Sequence, residues 1–145
     1  MIQHSHDDYV EMIHKIAREL GLKVLKNKQY AFYKPDLTIS VGPRVEDVVI
    51  IDVAMNTYGI LHALGGFYII KMLGRKARLF LVVLPDDKYM KFINPGCKAV
   101  RRKRSWILYK LRRERIKIVP FSLVKSVLLL ELRNSAKEIL NELAK

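Results

Sequence analysis

VVIIDVAM, residues 48–55, is an almost continuous apolar run broken by a single carboxylate, Asp52. A run of this length without polar alternation is what a strand buried on both faces looks like, so it predicts the centre of a sheet. Downstream, ARLFLVVLP (77–85) predicts a second buried strand and IKIVPF (116–121) a shorter one. Upstream, KVLKN (23–27) and YAFYKPDLTIS (30–40) have the β-branched and aromatic content of strands, with a turn at Gly42-Pro43. Ahead of them, Tyr9, Ile13, Ile16, Ala17 and Leu20 recur at helical spacing, which predicts a helix over 8–20 ended by Gly21. Residues 58–74 suit a helix whose middle Gly65-Gly66 weakens or bends. A basic helix is expected over about 98–113 and a C-terminal helix over 134–144. Strands interleaved with helices predict an α/β fold, a central sheet with helices on its faces.

The chain has 145 residues, 50% of them hydrophobic and 28% charged, a size and composition that predict one folded domain rather than a disordered chain. The core is expected over about 8–121, with residues 122–145 as a C-terminal extension. Cys97 is alone, which excludes an intramolecular disulfide and a cysteine-rich zinc site. MIQHSHDDYVEM at the start lacks the layout of a signal peptide, and no apolar stretch is long enough to span a bilayer as a helix. The expectation is a cytoplasmic protein without membrane contact, nucleoid association being compatible with its charge.

That charge is +13, and it is uneven. Residues 98–117 hold ten Lys and Arg against one acid, while the other 125 hold seventeen against thirteen. Such a block captures polyanions, and nucleic acid, DNA before RNA, is the partner expected. Within it Arg101, Arg102, Lys103, Arg104, Arg112, Arg113 and Arg115 are the candidate phosphate contacts, since guanidinium pairs with phosphate in bidentate fashion. Val100, Ile107, Leu108 and Leu111 are expected to dock the helix on the sheet. Trp106 and Tyr109 suit either base stacking or, the reading preferred here, core or dimer contacts. No helix-turn-helix or zinc-finger pattern is present, so backbone or shape recognition is expected rather than base reading.

Two carboxylates sit in strand-like surroundings. Asp36 follows Pro35, and Asp52 interrupts the central run. An isolated buried carboxylate costs several kcal/mol unless it is paired or binds a cation. On adjacent strands the pair would suit Mg²⁺ or Mn²⁺, which can generate hydroxide and stabilise charge on a phosphate. Structural alternatives are equally open: Asp36 capping a turn, and Asp52 paired with a lysine. His4, His6, Asp7 and Asp8 also form a cluster, but an unstructured N-terminus is the expectation there.

With Pro35-Asp36 ahead of an apolar strand bearing Asp52, and a helix before and after, residues 8–85 resemble the PD-(D/E)XK nuclease superfamily. The archaeal-type Holliday-junction resolvases are nearest in layout. The resemblance implies a restriction-endonuclease-like core with a mixed sheet, divalent metal held by Asp36 and Asp52, and an assisting acid on the first helix. Glu11 is the candidate, Glu19 second; alternatively Glu11 forms a capping box with Asp8. It implies an endonuclease acting on branched or junction DNA, and a homodimer, for which SLVKSVLLLEL (122–132) would supply an apolar interface.

The family's acid-x-lysine motif here reads Asp52-Val53-Ala54, so a methyl stands where the ammonium belongs. Either another group replaces it, Lys34 first and then His62, Asn56, Tyr58 or the distant Lys71, or cleavage has been lost and binding kept. The sequence thus leaves a metal-dependent endonuclease, a silent nuclease-like nucleic-acid binder, and a protein whose charge is incidental.

Overall fold

A computed structural model describes residues 3–26 and 28–145. The elements run α1 (His6–Glu19), β1 (Lys23–Leu25), β2 (Leu37–Ser40), β3 (Val48–Val53), α2 (Thr57–Met72), β4 (Leu79–Leu84), α3 (Asp86–Ile93), α4 (Lys98–Arg113), β5 (Ile116–Pro120) and, after a short 3₁₀ turn, α5 (Val124–Leu143). One five-stranded sheet in the order β1-β2-β3-β4-β5 joins them. β1, β2 and β3 form an antiparallel meander, and β4 and β5 continue it in parallel with β3. The protein is α/β with a mixed sheet flanked by helices.

The unalternating strands are covered on both faces. Val49, Ile51 and Val53 of β3, with Leu79, Leu81 and Val83 of β4, pack against Ile13 and Ala17 of α1 and Val124 and Leu128 of α5. Val48 and Ile50 of β3, with Phe80 and Val82 of β4, pack against Ile60, Ala63, Phe67 and Ile70 of α2 and Leu111 of α4. By the two-residue period of a strand, Asp52 faces the α2 side.

Several expectations need correction. The strand expected over 30–40 is confined to 37–40, because Tyr30 and Tyr33 close a tight turn on each other with Ala31 at φ 56. The strand expected over 23–27 ends at Leu25; position 27 lies outside the described residues. α2 runs unbroken through Gly65-Gly66. Gly66 is required by packing, since a Cβ there would lie 2.1 Å from the Tyr33 ring, whereas one on Gly65 would meet nothing within 4 Å. α3 was not expected; it starts behind Pro85 with two acids in its first turn, where aspartate complements the helix dipole. The last helix begins at Val124, ten residues before expected, with Val124, Leu128, Glu131 and Ser135 buried at i, i+4, i+7 and i+11. It is therefore a layer of the core, not an extension, and the apolar run assigned to a dimer interface is largely spent inside the chain. The exposed apolar side chains Leu61, Tyr68 and Met72 lie instead on the outer side of α2.

α5 is also held by charge. Asp47, fully buried, accepts from the Arg44 backbone N–H, the Arg44 guanidinium and the Arg78 guanidinium. Arg78 also pairs with Glu131 at 3.0 Å and with Glu138, and Arg44 with Glu138 and Glu142. Burial alone would raise the Asp47 pKa, but the Arg44 bonds and charge outweigh it and hold the carboxyl below its usual value.

Candidate functional site

β2 and β3 are in register from Leu37 opposite Ile51, so Asp36 stands opposite Asp52 where the ladder ends. There the carboxylates take over from backbone carbonyls. The Asp36 N–H donates to Asp52 Oδ1 at 2.8 Å, and the Val53 N–H donates to Asp36 Oδ2 at 2.8 Å. Each acid thus satisfies a backbone donor of the other's strand. The Tyr33 hydroxyl donates to Asp52 Oδ2 at 2.6 Å, its ring seated in the notch left by Gly66. Burial pushes Asp52, 5% exposed, up to about 6 against the pull of Tyr33 and the Asp36 N–H. Burial and the charges of Asp52 and Asp36 in turn raise the Tyr33 phenol above its usual value.

His6 completes the group: its Nε2 lies 2.9 Å from Asp36 Oδ2, and its Nδ1 is 3.1 Å from Asp7. Burial alone would lower the imidazole pKa, but the bonds and charges of Asp7 and Asp36 together raise it. The described N-terminal residues are therefore ordered rather than unstructured. The capping box is Ser5 with Asp8, not Asp8 with Glu11: Ser5 Oγ accepts from the Asp8 N–H and Asp8 Oδ2 from the Ser5 N–H. That start puts His6 inside α1, one stripe with Ile13 and Ala17, and aims it at the sheet. Glu11 falls about 140° around the helix at 100° per residue and Glu19 at a similar angle on the other side. Both are exposed and away from the acid pair.

Asp36, Asp52, His6, Lys34, His62, Asn56 and Tyr58 line one open cleft of about 520 Å³. Lys34, exposed, is at its rim, and the His62 ring is edge-on to Tyr33 at 6.0 Å. Lys71 is elsewhere, bonded to the Glu114 carboxylate and carbonyl. Ala54 is 1% exposed, closed over by Gly59 at the start of α2. Neither structural alternative for the acids is found: Asp52 pairs with a phenol and a backbone N–H, not a lysine, and Asp36 bonds across strands. As arranged, the pair would have to admit a divalent cation beside the bonds it already makes, with Asp36 Oδ1 the one carboxylate oxygen carrying no protein donor among the described residues. Both Asp52 oxygens and Asp36 Oδ2 already hold protein donors, and among the described residues no group of three His, Cys, Asp or Glu is placed to hold an ion.

A second opening, lined in part by Lys88, Lys91 and Arg104, shares Met55 and Asn56 with the cleft. Arg104 belongs to the attachment of α4: it donates to the Phe92 carbonyl at 2.8 Å and lies over the Phe92 ring at 4.8 Å. With half-buried Leu108 and buried Leu111 it forms the one inward stripe of the helix. Val100 and Ile107, expected to dock, are exposed instead. Trp106 and Tyr109 are likewise not core; they stand 62% and 58% exposed. Arg101, Arg102, Lys103, Arg112, Arg113 and Arg115 all face solvent. Among the described residues none of the ten cations in 98–117 has an acidic partner.

No helix among the described residues is long and apolar enough to cross a membrane. Comparison of the chain with protein-family models, curated proteins and solved structures finds no match in any of the three.

Proposed function

We infer that this chain binds nucleic acid through α4 and its flanks, on a nuclease-like sheet whose acidic pair serves as a strand clamp. The observation that carries the reading is the concentration of mostly exposed cations at 98–117, ten against one acid, none of them ion-paired among the described residues. Unpaired surface cations attract phosphates, and the counterions released make binding fall with salt. What supports a nuclease-like scaffold is the order of helix, strand, Asp36 ahead of β2, Asp52 in β3, then helix and strand, the same order on which the resemblance to the PD-(D/E)XK superfamily rests. The acids no longer require a catalytic explanation, because each satisfies backbone donors at the end of the β2–β3 ladder.

Affinity for labelled duplex, four-way-junction and single-stranded DNA, measured across salt, tests this. A slope of log affinity on log salt of about −3 or steeper on duplex is expected, and Arg101→Ala, Arg102→Ala and Lys103→Ala together should flatten it by about 0.9 for each phosphate no longer neutralised. Binding indifferent to salt or to these substitutions would refute the reading.

A second reading, metal-dependent cleavage of branched DNA, is favoured by the convergence of Asp36, Asp52, Lys34 and His62 on one open cleft. It requires Mg²⁺ or Mn²⁺ to enter beside the donors that Asp52 and Asp36 already hold. Nicking with either ion that is abolished by chelator and by Asp52→Ala would establish it.

A further inference from the structure

We propose that the outer face of α4 is a stacking platform for single-stranded nucleic acid, a commitment that rests on the binding reading above and names its substrate. Arg102, Trp106, Tyr109 and Arg113 follow each other at i, i+4, i+7 and i+11. At 100° per residue they fall within about 60° of one another, opposite the inward stripe of Arg104, Leu108 and Leu111. The stripe is on the order of 16 Å long at 1.5 Å per residue, two aromatic rings between two guanidinium groups.

Backbone electrostatics alone would be served by cations on any exposed face. It gives no reason for an indole and a phenol, 62% and 58% exposed, on the face farthest from the core. A duplex keeps the faces of its bases stacked on each other and offers none to a side chain, whereas an unpaired strand offers every one. Phosphates on either side of a stacked base would meet Arg102 and Arg113. Lys103 and Lys110 flank the rings, and Lys110 Nζ already lies 5.4 Å from the Trp106 ring centroid, holding cation and stacking surface together.

Trp106 is the only tryptophan, so its emission reports on this position alone. The full chain is titrated with a twelve-residue oligothymidylate and with a twelve-base-pair duplex at several salt concentrations. The strand is expected to quench the emission strongly and to bind tighter than the duplex. Trp106→Ala should weaken the strand at least about tenfold, as expected when one base stack is removed, while leaving duplex affinity and the salt slope unchanged. Tyr109→Ala should do the same with Trp106 still reporting, and both positions are exposed enough for the variants to fold. Strand binding with no change in emission, or with equal affinity for Trp106→Ala, overturns the platform while leaving nucleic-acid binding intact. Binding of neither strand nor duplex overturns both, and capture of an acidic protein on this face in place of either nucleic acid does so too.

Discussion

The two adjacent glycines of α2 should respond to the same substitution with opposite sign. A methyl on Gly66 would sit 2.1 Å from Tyr33 Cε1 and 2.2 Å from Cζ, where carbon atoms need about 3.5 Å or more. The ring has little room to retreat, with Phe67 edge-on at 6.4 Å, His62 on another side and its hydroxyl on Asp52 at 2.6 Å. Overpacking of this kind costs about 1–3 kcal/mol, and pulling the phenol off a buried carboxylate about 1–3 more. Replacing glycine in a helix returns about 1 kcal/mol. Gly66→Ala should therefore lose roughly 1–5 kcal/mol, which lowers Tm by roughly 3–16 °C in a chain of this size. Gly65→Ala meets nothing within 4 Å and keeps the helical gain of up to about 1 kcal/mol. Urea and thermal unfolding of the two variants beside the parent chain gives both numbers. If Gly66→Ala is as stable as Gly65→Ala, Tyr33 is not seated against α2, and the account of Asp52 as a phenol-bonded carboxylate fails.

The remaining predictions use the same geometry. Asp52 holds its proton up to about 6 in the folded chain against 3.8 ordinarily, so between those values the native state binds more protons and stability falls as pH rises, by at most about 3 kcal/mol; urea unfolding across pH should show this, and Asp52→Asn should remove it. His6, raised by its two carboxylates, acts with the same sign in a higher window: its contribution is complete below its ordinary 6.5 and is lost as pH rises through its folded value, so His6→Gln should flatten stability there. Arg78→Ala leaves Asp47 and Glu131 buried with fewer cations and should cost about 3–5 kcal/mol in the same unfolding assay. Arg104→Ala should lower stability by about 1–2 kcal/mol while leaving the salt slope nearly unchanged, the reverse of Arg102→Ala.

The apolar runs at 48–55 and 77–85 identified the centre of the sheet because nothing but burial on both faces explains them. Sequence bounds for α4 agreed with the structure for a different reason: Asn94-Pro95-Gly96 before it and the strand after it leave little choice. The misreadings share a cause, which is long-range contact. YAFYKPDLTIS has strand composition, but Tyr33 is apolar because it fills the notch of a glycine 33 residues on, and Gly66 is where it is for the same reason. His6 was legible in principle. Taking Ser5 and Asp8 as the capping pair extends α1 back by two residues and puts the histidine on the stripe of Ile13 and Ala17. Its bond to Asp36, thirty residues away, was not, since no local pattern encodes it. The helical period of Val124, Leu128, Glu131 and Ser135 was hidden by the two polar members, which are buried only because Arg78 and the loop before β3 meet them.

The distribution of acids bears on what the excess of cations is for. If the charge were only a solubility device, or the ion pairing of a heat-stable surface, acids and bases would be interspersed, as they are where Arg44 and Arg78 between them serve Asp47, Glu131, Glu138 and Glu142. On α4 they are segregated. Its sixteen residues span about 24 Å, and at physiological salt a charge is felt over only about 8 Å. The acids around Arg44 and Arg78 already have cations of their own and offset little of this field, so α4 repels itself at a cost to folding. The helix is fastened by one narrow stripe, Arg104, Leu108 and Leu111, and its opposite face carries cations and two aromatic rings with no acid among them. A fold that concentrates like charge on its least buried helix, and spends its acids elsewhere, has a surface whose stability improves when a polyanion lies on it. On the proposed reading, added salt should therefore release a bound polyanion well before it loosens the sheet, because the buried pairs around Asp47 are screened far less than the exposed cations.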